Sequence, residues 1–271
     1  MKAYTCFPDG KVKALTMSYD DGRMEDKRLI EIFNRYGIKG TFNLNYGWFL
    51  GKYAYERVPR SELTQIYQGH EIATHGYTHA TLARCSFVEV ADEILKDRLA
   101  LEAEIGGLVR GHAYPNGSYN EEIKELLRHL GIAYGRACTS TGNFRLPADL
   151  MEWNPTCHHN DPRLMELTQK FIDMWRRTGG LQLMYVWGHS YEFTNDNNWE
   201  RIEEFCKQIG GRDDIWYCTN IEYVDYMKVI QDLQYTASMD AVYNPSAASA
   251  WLEIEEGRVI EIKGGSWASL K

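Results

Sequence analysis

Apolar and polar positions follow two periods along most of the chain. Short apolar runs read as strands: "ALTMSY" (14–19), "KGTFNLN" (39–45), "HEIATHG" (70–76), "GHAYP" (111–115), "AYGRACTS" (133–140), "LQLMYVWGH" (181–189) and "IWYCTN" (215–220). Between them lie stretches with helical spacing, at 26–36, 61–68, 87–105, 120–131, 162–178, 198–210 and 221–233. Asn120 is placed to cap the fourth of these helices and Gly131 to stop it. Repeated strand–helix alternation implies parallel strands with helices outside. About seven such units favour a closed or nearly closed α/β barrel over an open sheet. The tail differs: "AWLEIEEGRVIEIKGG" alternates about Glu256-Gly257, the pattern of a two-stranded hairpin. The expected organisation is a barrel over 1–235 and a small β-hairpin extension over 236–271.

In such a barrel, function lies where strands end and loops begin. The polar oddities of this chain fall at those ends: Asp20-Asp21, Asn45, His75, Pro115-Asn116 and His189. Asp-Gly is also the commonest short turn signal, so "DDG" by itself reads first as a turn. "HEIATHGYTHATL" adds His75 and His79, four residues apart, able to aim both imidazoles the same way from a strand running into a loop. Two neutral histidines and one carboxylate form a catalytic zinc shell with a position left for water. His189 ends a buried strand, where an imidazole can donate a proton at neutral pH. "AYPNG" is a tight turn whose backbone N–H groups can face a developing oxyanion.

Composition narrows the partners. The 271 residues carry a formal net charge of -8 and no basic run, which disfavours nucleic acid and anionic membrane surfaces. No stretch approaches the ~20 apolar residues of a membrane span. "MKAYTCFPDG" has no apolar core of a signal peptide, so the expected location is the cytoplasm. The six cysteines are scattered, without a C-x-x-C pair, and are expected to be reduced. Eighteen tyrosines and eight tryptophans suit a protein that stacks on sugar rings, although aromatics also fill cores.

Taken together, "SYDDG", "HGYTH", "AYPNG" and "YVWGH" resemble, in order, motifs of the polysaccharide deacetylases, the NodB-homology or carbohydrate esterase 4 group. The resemblance spans about residues 12–220. It implies a distorted (β/α)7 barrel and the hydrolysis of an N-acetyl group on a carbohydrate. It makes Asp20 the general base, His189 the general acid, and Asp21, His75 and His79 the ligands of one divalent metal. Zn2+ is the default, with Co2+, Ni2+ or Fe2+ able to occupy the same shell. Asn116 and Tyr114 become oxyanion or substrate-binding candidates, and Trp48, Trp187 and Tyr191, with Tyr46, candidates to line the barrel mouth. The family's third motif begins with an arginine that supports the base. Here that position falls near Ala113, leaving Arg110 or Arg136 as substitutes. The Asp–Trp pair behind the family's catalytic histidine is matched only loosely by Asp149 and Trp153, and His158 and His159 are further groove candidates. Two other functions fit the same residues: hydrolysis of another non-peptide C–N bond, as in allantoin-type compounds, and glycan binding without catalysis. Oligomeric state is not legible in the sequence.

Overall fold

The computed structural model describes residues 2–174 and 180–271. Its central strand is β2 (Lys13–Asp20), buried at every position. The residues alternate accordingly. Leu15, Met17 and Tyr19 pack into the main apolar core, where the helices lie. Thr16, Ser18 and Asp20 belong to the opposite parity and are equally buried.

β1 (Tyr4–Cys6) precedes this strand, and β3 (Gly40–Leu44), β4 (Glu71–Thr74), β5 (Gly111–Ala113), β6 (Tyr134–Arg136), β7 (Cys157–His158), β8 (Gln182–Gly188) and β9 (Ile215–Tyr217) follow it. One sheet runs in the order β6-β5-β4-β3-β2-β8-β7, with β9 also on β2. All its pairings are parallel. β8 accompanies β2 from Lys13 to Tyr19, while β9 takes Lys13–Leu15 and β3 takes Met17–Asp20. The chain after β6 bridges the two ends of the curl. Trp153 pairs with Arg136, and Cys157–His158 pair with Val186–Trp187. The curled, all-parallel sheet agrees with the nearly closed α/β barrel expected from the alternation and with the distorted (β/α)7 barrel that the resemblance implies.

The helices are α1 (Asp26–Arg35), α2 (Leu63–Ile66), α3 (Phe87–Ile105), α4 (Glu121–His129), α5 (Leu164–Asp173), α6 (Ser190–Asn195), α7 (Trp199–Ile209) and α8 (Asn220–Gln231). Asn120 caps α4 by accepting from Ile123 N, and Gly131 follows it at φ 77°. The expected helix 61–68 is shorter: a 3-10 turn at Arg60–Glu62 leads into a single turn of α2. α5 stops at Asp173, because Met174 is extended. The expected continuation over 175–178 lies outside the described residues.

The tail forms the expected hairpin, β12 (Ala250–Glu253) with β13 (Val259–Ile262). Its partners were not legible from local pattern. β1 joins β12 antiparallel, and β10 (Gln234–Tyr235), β11 (Ala241–Asn244) and β14 (Ser266–Ser269) make a second three-stranded sheet. Val242, Leu252, Ile262 and Leu270 share an apolar cluster with Val229 and Leu233 at the end of α8.

Candidate active site

The strand ends of the barrel gather Asp20, Asp21, His75, His79 and His189. Neighbouring residues on an extended strand point to opposite faces, so "DD" would normally split. It does not, because Asp21 turns into the left-handed region at φ 81°, followed by Gly22 at φ 63°. Both carboxylates then reach one imidazole: His75 Nε2 lies 3.6 Å from Asp20 Oδ2 and 3.9 Å from Asp21 Oδ1. His79 arrives by a similar device. The chain leaves β4 at Thr74, folds back through Gly76 at φ 73° and places His79 at φ 62°. His79 Nε2 comes within 4.0 Å of Asp21 Oδ1. A backbone turn, rather than a shared strand face, makes the four-residue spacing work.

The donor set fits a divalent cation. One ligand atom from each of Asp21, His75 and His79 lies within 4.8 Å of the others. His75 Nδ1 donates to Ala113 O at 2.8 Å, which fixes the tautomer and leaves the Nε2 lone pair facing the carboxylates. Asp21 Oδ1 is buried and, among the described residues, accepts no hydrogen bond. Burial pushes His75 down to about 4, so it is neutral at pH 7.

A second cluster, His158, His189 and Glu192, is as tightly spaced but differs chemically. His158 Nδ1 accepts from Asn160 N at 3.1 Å, which puts the neutral ring's proton on Nε2, the atom 3.2 Å from Glu192. His189 Nδ1 donates to Glu192 Oε1 at 3.1 Å. The nitrogens facing Glu192 therefore carry protons, and the cluster is a carboxylate served by imidazole N–H groups. His159 Nε2 lies a further 2.8 Å from Glu192 Oε2, with its ring fully buried against Tyr19 and Phe193.

Asp20 is buried between opposing influences. Burial favours its neutral form, but Arg136, His75 and His189 outweigh it and hold the carboxyl well below the usual range. Arg136 Nη2 donates to Asp20 Oδ2, and Asn43 Nδ2 to Oδ1 at 2.8 Å. His189 Nε2 stands 3.9 Å from Asp20 Oδ2. Burial pulls the His189 pKa down, yet the bond to Glu192 and the charges of Asp20 and Asp21 raise it overall. A carboxylate held ionised thus faces an imidazole inclined to keep its proton.

The other sequence candidates separate. Arg136 sits on Asp20, whereas Arg110 pairs with Asp225, its Nη1 and Nη2 at 3.0 and 2.6 Å from the carboxylate oxygens. The Tyr114 side chain does not line the site. It is buried, its hydroxyl donates to Met151 O at 2.7 Å, and its ring stacks on Tyr119. Asn116 occupies the turn after Pro115 at φ 57°, with its side chain tied to Thr81. Trp187 covers the Arg136 guanidinium at 4.5 Å, and Tyr191 packs against His189 and Arg23. Trp48 lies against His79. Tyr46 points away, its hydroxyl on Glu104. Asp149 caps a 3-10 turn and Trp153 belongs to an aromatic core with Tyr134 and Tyr185, so neither stands behind His189. Glu192 does. The His-x-x-Glu spacing at the start of α6 was the available signal, and it is weak because any short helix brings i and i+3 together.

The family model described as polysaccharide deacetylase matches residues 8–135. That stretch is similar to the polysaccharide deacetylase family. The matched part contains Asp20, Asp21, His75, His79 and Asn116, while Arg136 and His189 lie beyond it. A chitooligosaccharide deacetylase of Bradyrhizobium sp. (strain ANU 289) is 24% identical over 124 residues, 45% of this chain and 54% of the relative. A peptidoglycan-N-acetylglucosamine deacetylase, PgdA, of Listeria monocytogenes is 24% identical over 115 residues, 42% of this chain and 23% of the relative. The matches thus span about half or less of these relatives. Among solved structures, a Mycobacterium smegmatis protein described as a candidate polysaccharide deacetylase superposes with a TM-score of 0.63 at 18% identity, covering 85% of this chain and 95% of that one. That likeness is one of fold.

Proposed function

We propose that this chain is a metal-dependent hydrolase that removes the N-acetyl group from an acetylated carbohydrate. The observation that carries this reading is the convergence of Asp21 Oδ1, His75 Nε2 and His79 Nε2, with Asp20 and His189 alongside. Asp21, His75 and His79 hold the cation, with Zn2+ the first choice for two imidazoles and a carboxylate. When bound, it supplies Lewis acidity to water and to an amide carbonyl.

This chain's residues do the rest. Asp20, fixed by Arg136 and Asn43, takes the proton of the attacking water. The water oxygen bonds to the acetamide carbon, and the backbone N–H of Asn116 faces the oxyanion that develops. His189, oriented by Glu192, delivers its Nε2 proton to the amine nitrogen as the C–N bond breaks, because an unprotonated amine is a very poor leaving group. Acetate and the free amino sugar leave. Trp187 and Tyr191 offer aromatic surface to the pyranose C–H groups at the mouth.

The test is acetate release from acetylated chito-oligosaccharides by the purified protein. A strong chelator should abolish release and added Zn2+ restore it. Asp21→Ala, His75→Ala and His79→Ala should each lose the bound metal. Ammonia or a urea-type product from allantoin-like compounds, with no acetate, would move the chain to the other C–N hydrolase class. Tight binding of one metal equivalent by all three variants would remove the ligand assignment.

A further inference from the structure

The two imidazoles on the metal site are held in different ways. His75 has a full set of polar restraints. Its ring donates to Ala113 O, its backbone N–H to Leu44 O at 2.9 Å and Asp97 Oδ2 at 3.0 Å, and its carbonyl accepts from Asn45 Nδ2. His79 has none of this at its ring. Among the described residues no hydrogen bond reaches either ring nitrogen, although metal-ligating histidines almost always have such a partner. What touches the His79 ring is aromatic: Trp48 at 5.1 Å between centroids, tilted 31°, and His75 edge-on at 4.8 Å.

Trp48 is itself clamped. It lies in the 3-10 turn Tyr46–Phe49 after β3, with its backbone N–H on Asn45 O at 3.0 Å. The preceding Gly47 donates to Tyr77 O at 3.0 Å, and a Cβ at that position would stand 2.4 Å from the same oxygen. Only a glycine lets this turn lie directly on the loop that carries His79. The indole is also packed against the Arg57 guanidinium at 4.6 Å and Tyr53 at 5.5 Å. Arg57 is 3% exposed; among the described residues its Nε has no hydrogen-bond partner, and its Nη1 pairs with Glu56 Oε2 at 3.5 Å. A desolvated guanidinium over an indole gains more from the ring than one in water does.

We propose that Trp48, backed by Arg57, is a positioning residue for the metal ligand His79, an aromatic wall doing what a hydrogen-bonding carboxylate or carbonyl does for other ligating histidines. The proposal rests on the metal-site reading above. It gives the indole a role different from the sugar platform expected from its place at the barrel mouth. A free imidazole at φ 62° with no ring partner samples several χ2 orientations, and the wall selects the one that turns Nε2 toward Asp21.

The experiment titrates metal-free protein with Zn2+ against a chromophoric chelator. Trp48→Ala should raise the Zn2+ dissociation constant by about 10-fold or more, the usual scale for removing an outer partner of a ligand. Trp48→Phe keeps a flat ring and should recover most of that loss. Arg57→Met, which leaves Trp48 in place but unbacked, should fall between wild type and Trp48→Ala and serves if Trp48→Ala does not fold. The KM for an acetylated glycan at saturating Zn2+ is read in parallel. A wild-type Zn2+ constant in Trp48→Ala together with a raised KM overturns the proposal and returns Trp48 to sugar stacking. Unchanged Zn2+ affinity in Arg57→Met, with Trp48→Ala unfolded, overturns it equally. Absence of Zn2+ binding by the wild-type protein instead defeats the metal-site reading and takes this proposal with it.

Discussion

Asp20 and Asp21 are adjacent in sequence and opposite in circumstance. Asp20 accepts from Arg136 and Asn43, whereas Asp21 Oδ1 has no donor among the described residues. Their asparagine variants should therefore fail differently. Asp20→Asn keeps size and hydrogen bonding but cannot take a proton. It should retain metal and lose roughly 10²–10⁴ in kcat. Asp21→Asn weakens the proposed charged ligand, so metal affinity should fall and excess Zn2+ restore part of the rate. Metal content and kcat of both variants, with and without added Zn2+, check this. Equal metal loss in both would make both carboxylates ligands. Glu192 gives a second prediction at this scale. Its hydrogen bond and charge help raise the His189 pKa, and a raised pKa keeps the acid protonated to higher pH. Glu192→Gln removes that help, so the basic limb of the kcat/KM profile should move to lower pH while bound metal is unchanged. An unmoved basic limb would mean that another group is the acid.

Elements carry the site by their ends. β2 ends at Asp20 with Asp21 just beyond it, β4 leads into both histidines, and β8 leads to His189. β6 supplies Arg136, one strand beyond the "AYPNG" turn where the family's arginine is expected. A guanidinium from the neighbouring parallel strand can reach the same carboxylate, since Ala113 and Arg136 are register partners. The helices act from a distance. α4 is capped by Asn120, whose side chain accepts from Ile123 N at 2.9 Å, and it packs outside the barrel through Ile123, Leu126 and Leu127. Asn120→Ala should cost about 1 kcal/mol, the common worth of such a cap, and leave Zn2+ affinity at the wild-type value. Thermal unfolding and the chelator titration together check it. A change in Zn2+ affinity would show that α4 is coupled to the site.

For the whole molecule the telling feature is how polar the concave side of the sheet is. Thr16 donates to Asn220, and Asn220 to the Tyr185 hydroxyl. Deeper still, Glu71 is fully buried and accepts from Tyr134, Thr41 and Ile221 N, each at 2.8 Å. Burial outweighs these bonds and pushes Glu71 up to about 7. The sign follows directly. A carboxyl whose pKa is higher folded than unfolded takes up a proton on folding, so its contribution to stability falls as pH rises from the unfolded value of about 4 to about 7. Glu71→Gln imitates the protonated form and removes that dependence. Relative to the wild type, its Tm should therefore improve between pH 5 and pH 8. A constant difference across that range would mean that Glu71 is ionised throughout. No helix among the described residues is long and apolar enough to cross a membrane.

The sequence by itself determined the barrel class, the order of its elements and the hairpin. Those depend on local periodicity, and a period of 2 or 3.6 is written in consecutive residues. It also marked Asp20, Asp21, His75 and His189, because each stands at the end of an apolar run where a polar residue is unusual, and His79 by its four-residue spacing from His75. Tertiary structure decided the rest. The choice of Arg136 over Arg110 depends on which end of a strand faces the mouth: Arg136 ends β6, whereas Arg110 precedes β5. Removal of Tyr114 to the core, and the gathering of Glu192, His158 and His159, depend on side chains brought together across the barrel. So does the contact of Trp48 with His79, since Gly47 can approach Tyr77 only once β3 and β4 are paired. Residues 30 or more positions apart leave no periodic trace in one another's surroundings, so these partnerships exist only after the sheet has curled.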